Sequence, residues 1–216
     1  RPISVGEVDR FAVRGQYVAG AYDEAQVQGY REEQDVPGNS RTETYAAIEF
    51  TVDNWRWQGV PFYVRTGKRL AQRASAITMQ FKQAPHLIFD GGSNLCPSTL
   101  TIRIQPDEGI ALSFSGKIPG PDVNLGTVEM DFCYQDAFGG RSPEAYETLL
   151  LDCLLGDGTL FGDAGWIEKS WDLLMPILEA WNATSATRVP TYRAGSWGPG
   201  EADNLFDRDW RTWACP

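Results

Sequence analysis

From Thr44 onward, short runs of alternating or continuous apolar residues predict strands over Tyr45–Val52, Phe62–Arg65, Ala76–Phe81, Leu100–Ile104, Ile110–Phe114 and Val128–Tyr134. Each run is rich in β-branched and aromatic types and is bounded by Gly, Pro or Asn/Asp clusters. Leu100, Ile102 and Ile104 alternate with Thr101 and Arg103, the pattern of a strand with one buried face. Gln105–Gly109 then leads into Ile110, Leu112 and Phe114 as a hairpin connection would. Past residue 142 the period becomes helical. Ser142, Pro143 and Glu144 read as an N-cap, a first-turn proline and a dipole-matched acid, Tyr146, Leu149, Leu150, Cys153 and Leu154 share a face, and Gly156 stops the helix. A second helix starts near Asp163 and carries Ile167, Trp171, Leu174, Leu178 and Trp181 on one stripe, with Pro176 expected to bend or break it. A short third helix is expected near Pro199 and Glu201. Before Thr42 little periodicity survives among Gly15, Gly20, Gly29, Pro37 and Gly38, so this stretch reads as a long ordered loop or two short strands. Strands first and helices afterwards predict one α+β domain. Its large, mostly antiparallel sheet would carry helices on one face and leave the other available for subunit pairing.

Composition narrows the class. With 216 residues, 42% hydrophobic and 22% charged, the chain is that of a folded protein, and no apolar run reaches the length of a membrane-spanning helix. A net charge of −10 argues against nucleic-acid and acidic-membrane partners. The charge is unevenly placed: between Asn54 and Phe89 there is no acid, while Arg56, Arg65, Lys68, Arg69, Arg73 and Lys82 fall inside. The remainder carries 13 basic against 29 acidic residues, so a cationic stretch sits in a strongly anionic protein and hints at a small anionic ligand. Cys96, Cys133, Cys153 and Cys215 show no two-residue pairing and read as the scattered thiols of a reducing cytoplasm, Cys133 and Cys153 packing as small hydrophobes. The start at Arg1 leads us to expect part of a longer protein.

Nucleophilic and metal chemistry find little support, because His86 is the only histidine and no Ser or Cys stands in an elbow motif. Gly156, Gly158 and Gly162 follow a helix rather than a strand, at the wrong spacing for a nucleotide fingerprint. The informative block is Trp55–Leu70. A strand bearing Arg65 runs into Thr66-Gly67, where glycine permits a turn, and delivers Lys68 as a compact point charge. Arg73 follows five residues later, and Arg103 and Gln105 share one face of another strand. Such a set suits an anionic or polyhydroxylated ligand.

At this point the residues resemble a known family. Arg14–Tyr17, Ser40–Ala47, Gly59–Lys68, Arg103–Pro106, Tyr146–Gly156 and Ala194–Pro199 with Glu201–Asp203 are similar, in order, to the C-terminal β+α part of bacterial glucose-6-phosphate dehydrogenase. The resemblance implies an oxidoreductase of the pentose phosphate pathway that oxidises glucose 6-phosphate to 6-phosphogluconolactone with NADP. It implies that Lys68, Arg73 and Gln105 contact the sugar phosphate, that the sheet pairs subunits into dimers or tetramers, and that the protein is cytoplasmic. Arg65, Arg103, Asp131 and Trp213 match positions of a second, structural NADP site in some members. Ala74, Thr78, Ala111, Ser113 and Trp197 stand where those members have basic or tyrosine side chains, so no nucleotide is expected there. The family's catalytic histidine motif and Gly-rich Rossmann segment, which binds most of the NADP, are not in this sequence. Residues 1–216 therefore read as the substrate-side and oligomerisation domain of a longer dehydrogenase, inactive alone and binding glucose 6-phosphate more weakly than about 1 mM. The competing reading is a non-catalytic binding or scaffold domain of the same fold.

Overall fold

The computed structural model describes residues 2–83, 96–139, 145–183, 189–207 and 211–214. His86, the Ser142–Glu144 cap and Cys215 lie outside the described residues. The chain divides into two compact units, Arg1–Gln72 with Asp152–Trp213, and Arg73–Leu151 with Ala214–Pro216.

The first unit contains helix α1 (Val8–Phe11), strands β1 (Ala12–Val18), β2 (Gly20–Tyr22), β3 (Ala25–Val27), β4 (Tyr45–Thr51) and β5 (Pro61–Gly67). The second contains β6 (Ser75–Gln80), β7 (Thr99–Gln105), β8 (Gly109–Lys117), β9 (Leu125–Cys133) and helix α2 (Tyr134–Phe138). Helix α3 (Ala145–Leu155) crosses the division, and α4 (Ala164–Ala183), β10 (Thr191–Arg193) and a 3₁₀ turn over Gly200–Phe206 return to the first unit. The α+β class read from the sequence holds. Its described strands are distributed over two four-stranded sheets, ordered β10-β1-β4-β5 and β6-β7-β8-β9, and a β2-β3 hairpin. Every pairing between these strands is antiparallel except β1 with β10, and an isolated bridge between Leu70 and Ser196 is also parallel.

Of the two readings of the amino-terminal stretch, a long loop or two short strands, the structure has strands, β1 to β3, and the longest, β1, runs through the middle of the first sheet. Its period is hidden by Arg14 and Gln16, which are 7% and 2% exposed in a strand that would otherwise read as apolar. Gln16 is satisfied completely enough to be buried. Its amide donates to the carbonyls of Ser40 (3.0 Å) and Thr42 (2.7 Å) and its carbonyl oxygen accepts from Arg31 Nε at 2.9 Å. Arg14 lies over the Trp181 ring at 5.7 Å. A core of Ile3, Val8, Ala12, Ile48, Ile177, Ala180 and Trp181 fastens the end of α4 to one side of this sheet. Each large apolar side chain buried there contributes about 1.5–3 kcal/mol. Tyr17, Tyr45, Ala47, Tyr192, Ala202 and Leu205 form a second core.

Two helical expectations change. Of the bend or break expected at Pro176 the break does not occur: helix α4 continues through it, with Ile177, Ala180 and Trp181 buried after it, and the packing of that last segment outweighs one lost backbone hydrogen bond. The first part of its stripe, Ile167 and Trp171, is exposed. In α3 the face of Tyr146, Leu150 and Leu154 is also exposed, as is Cys153, which therefore does not pack as a small hydrophobe.

In the second sheet, register makes the two faces chemically different. Ile77, Ile102, Ile110 and Phe132 are successive partners across the four strands, and Met79, Leu100, Leu112 and Met130 form the next row. Thr78, Thr101, Ala111 and Asp131 form a polar row on the other face, as the two-residue side-chain period requires. The Gln105–Gly109 hairpin connection is present, with β7 ending at Gln105 and β8 beginning at Gly109.

Candidate functional site

Lys68 follows directly on β5, and the structure shows what the Thr66-Gly67 turn does with it. Its backbone N–H donates to the Thr44 carbonyl at 2.8 Å, and its own carbonyl accepts from the Tyr192 hydroxyl at 2.7 Å. Tyr192, buried on β10, lies 3.1 Å from Thr44 Oγ1 and 3.1 Å from the Thr44 carbonyl. The Thr44 hydroxyl in turn accepts the Tyr17 N–H at 3.1 Å. With its backbone held on both sides, the Lys68 side chain remains exposed.

The next residues are held from the other direction. Arg69 has a positive φ of 53°, a conformation that costs a non-glycine residue about 1–3 kcal/mol unless its surroundings enforce it. The Arg69 carbonyl accepts from Gly195 N–H at 2.8 Å, and the Ala71 N–H donates to the Ser196 carbonyl at 2.9 Å. The Arg69 guanidinium lies over the Tyr22 ring at 5.4 Å and 3.9 Å from Glu33 Oε1, which also accepts the Tyr17 hydroxyl at 2.5 Å. Burial, reinforced by Glu33, pushes the Tyr17 hydroxyl up to about 12. Neither Tyr192 nor the Gly195-Ser196 turn emerged as a partner of Lys68 from the sequence. The only signal at Gly195-Ser196 was membership of the Ala194–Pro199 block, and Tyr192 lies outside it.

In the second unit Arg73 is exposed just ahead of β6, and Gln105 ends β7 with its amide donating to Ser75 Oγ at 2.9 Å. Thus Lys68 belongs to the first unit and Arg73 and Gln105 to the second. Arg103 donates from Nη2 to Asp131 Oδ1 at 2.6 Å, an ion pair on the polar face of β7 and β9, and to the Phe132 carbonyl at 3.4 Å. Arg65 is stacked between the Trp197 and Trp213 rings at 4.5 and 4.9 Å, in the first unit. Trp213 also meets Phe206 and Tyr63, with centroids 4.9 and 6.3 Å away. Both arginines thus have partners within their own unit. Tyr45 Oη, Ser196 Oγ and Trp213 Nε1 are buried without a hydrogen-bond partner among the described residues. No group of three or more potential metal ligands occurs among the described residues.

Comparison with known proteins gives this geometry a family. The model of "Glucose-6-phosphate dehydrogenase, C-terminal domain" matches residues 1–214. The chain belongs to that family. It is 48% identical over 205 residues to glucose-6-phosphate 1-dehydrogenase of Chlamydia pneumoniae, covering 93% of this chain and 40% of that protein. It is 46% identical over 215 residues to the Rhizobium meliloti (strain 1021) enzyme of the same name, covering 99% and 43% respectively. A solved glucose-6-phosphate dehydrogenase in complex with its substrate glucose 6-phosphate matches with a TM-score of 0.83 at 31% identity, over 99% of this chain and 43% of that one. Glucose-6-phosphate 1-dehydrogenase from Mycobacterium avium matches with a TM-score of 0.77 at 29% identity, over 100% and 42%. The glucose-6-phosphate dehydrogenase C-terminal domain is thus what this chain supplies, spanning about two fifths of the curated relatives it matches.

Proposed function

We propose that this chain is the substrate-side and oligomerisation domain of a longer NADP-dependent glucose-6-phosphate 1-dehydrogenase that oxidises glucose 6-phosphate to 6-phosphogluconolactone. The observation that carries this reading is the family match over residues 1–214, joined to a fixed Gly67-Lys68 turn that leaves an ammonium exposed. In this reading Lys68 is a point charge for the phosphate dianion, Arg73 a guanidinium donor to it, and Gln105 an amide matched to sugar hydroxyls. Their work is binding and orientation. Hydride transfer to NADP and removal of the hydroxyl proton belong to residues outside this sequence, so the chain alone reduces no NADP and binds the sugar phosphate more weakly than about 1 mM. Arg65, Arg103, Asp131 and Trp213 hold one another or their neighbours, and the enzyme works without a nucleotide at these positions. Self-association through the sheet belongs to the same proposal, supported by the exposed Ile77, Met79, Ile110, Met130 and Phe132 of the second sheet. So does a cytoplasmic location, supported by free thiols at Cys96, Cys133 and Cys153; no described helix is long and apolar enough to cross a membrane.

The test is NADP reduction by the full-length enzyme. Lys68→Ala and Arg73→Ala should each raise KM for glucose 6-phosphate by about tenfold or more, and Gln105→Ala by less, because a hydrogen bond to a charged group is worth about 1.5–3 kcal/mol and a neutral one about half of that. KM for NADP should stay unchanged. An enzyme inert toward glucose 6-phosphate, or variants with wild-type KM, would refute the assignment.

A further inference from the structure

The Tyr192 hydroxyl lies 2.7 Å from the Lys68 carbonyl, 3.1 Å from the Thr44 carbonyl and 3.1 Å from Thr44 Oγ1; with its one proton on the nearest acceptor, the Lys68 carbonyl, the Thr44 hydroxyl is left as the donor to Tyr192 Oη. All three residues lie in the first unit, and the Tyr192 ring is wedged between Tyr17 and Tyr45, whose centroids are 6.3 and 5.5 Å away. Among the described residues no other group donates to the Lys68 carbonyl. The opposite edge of the same peptide segment is held by Thr44 accepting the Lys68 N–H at 2.8 Å. Two segments far apart in sequence thus converge on one residue: Thr44, just ahead of β4, and Tyr192 on β10, 124 positions beyond Lys68. A buried hydroxyl spending its single proton on a turn carbonyl fixes where the following side chain starts, and a four-carbon stem magnifies any error at its root.

We infer that Tyr192 is a positioning residue for sugar-phosphate binding: its hydroxyl, oriented by Thr44, sets the backbone from which Lys68 reaches the phosphate. This rests on the proposed role of Lys68. Tyr192 touches no substrate and acts only through the turn. Loss of the hydroxyl leaves the Lys68 carbonyl unsatisfied, frees the turn to shift, and weakens ground-state and transition-state binding alike, which raises KM and leaves kcat nearly unchanged.

The experiment is a double-mutant cycle on the full-length enzyme, with steady-state kinetics for glucose 6-phosphate and NADP. Tyr192→Phe keeps the ring between Tyr17 and Tyr45, and its melting temperature reports whether the fold is kept. It should raise KM for glucose 6-phosphate about tenfold, with kcat and KM for NADP within about twofold, the loss of about 1.4 kcal/mol of uniform binding. In a Lys68→Ala background the same substitution should change KM by less than about twofold, because the group it positions is gone. Thr44→Val should move KM in the same direction, and Thr44→Ser, which keeps the hydroxyl, should restore it. An unchanged KM in Tyr192→Phe, or an equal fold-change in both backgrounds, overturns the inference. A Lys68→Ala enzyme with wild-type KM overturns the reading of Lys68 itself and this inference with it, and is distinguishable because it appears before Tyr192 is touched.

Discussion

Burial pushes the Tyr45 hydroxyl up to about 12, as burial and Glu33 do for Tyr17, and the two share a consequence for stability. A tyrosine whose folded value lies above its ordinary value of about 10 favours the folded state while it holds its proton. That contribution is complete below about pH 10 and is lost as pH rises from 10 toward 12. Thermal midpoints should therefore hold steady to about pH 10 and then fall. Tyr17→Phe should lower stability at pH 8 through the lost Glu33 bond and flatten the alkaline decline, and a phenolate absorbance titration should show Tyr17, Tyr45 and Tyr192, the last also raised by burial, ionising late. An alkaline limb as steep in a Tyr17→Phe, Tyr45→Phe protein would contradict this. At this scale the placement of Lys68 was legible, because a strand pattern running into Thr66-Gly67 puts the next residue at a strand end without any structure. Arg14, Gln16 and Tyr192 were not, because a buried polar side chain looks like a surface one until its partners are known, and those of Gln16 sit 15 to 26 positions away.

Strand β1 shows why the element scale was only partly readable. The strands from Tyr45 to Cys133 announced themselves through period-two apolar positions, while β1 buries polar groups on a central strand and β10 is too short to show a period. Gln16→Leu is thus expected to destabilise the protein by about 1–3 kcal/mol despite its greater hydrophobicity, since two carbonyls and a guanidinium lose a buried partner. Chemical denaturation would measure it, and a stabilised variant would show that Gln16 carries no structural burden. Gly195 offers a sharper case. Its φ is +84° and an added Cβ would overlap the Ala21 carbonyl, so Gly195→Ala should cost about 2 kcal/mol or more and loosen the Arg69 carbonyl that its N–H holds. The helices erred in the opposite direction. Their apolar stripes were legible, but a stripe says nothing of whether a partner covers it, and those of α3 and the start of α4 remain exposed.

At the scale of the whole molecule, the sequence revealed an acidic protein with one cationic stretch, and that stretch contains Lys68 and Arg73. It gave no sign that Arg73–Leu151 would form a compact unit apart from the rest, since contact between segments distant in sequence leaves no local pattern. The exposed rows of the second sheet predict self-association: sedimentation at tens of micromolar should show dimers or larger, and Met130→Glu, placing a charge in an apolar row, should shift the population toward monomer. Only monomer for the unaltered protein would sink that expectation. The parallel pairing of β10 with β1 also bears on the order of events at the ribosome. At about 5–20 residues per second, the 124 residues between Lys68 and Tyr192 take on the order of ten seconds to be synthesised, and for that interval the nascent chain has β1 with an open edge and a lysine turn that lacks the donor to its carbonyl and can be held only through Thr44. On the proposed reading of Lys68, the turn that carries it thus gains its second anchor only after Tyr192 has been synthesised.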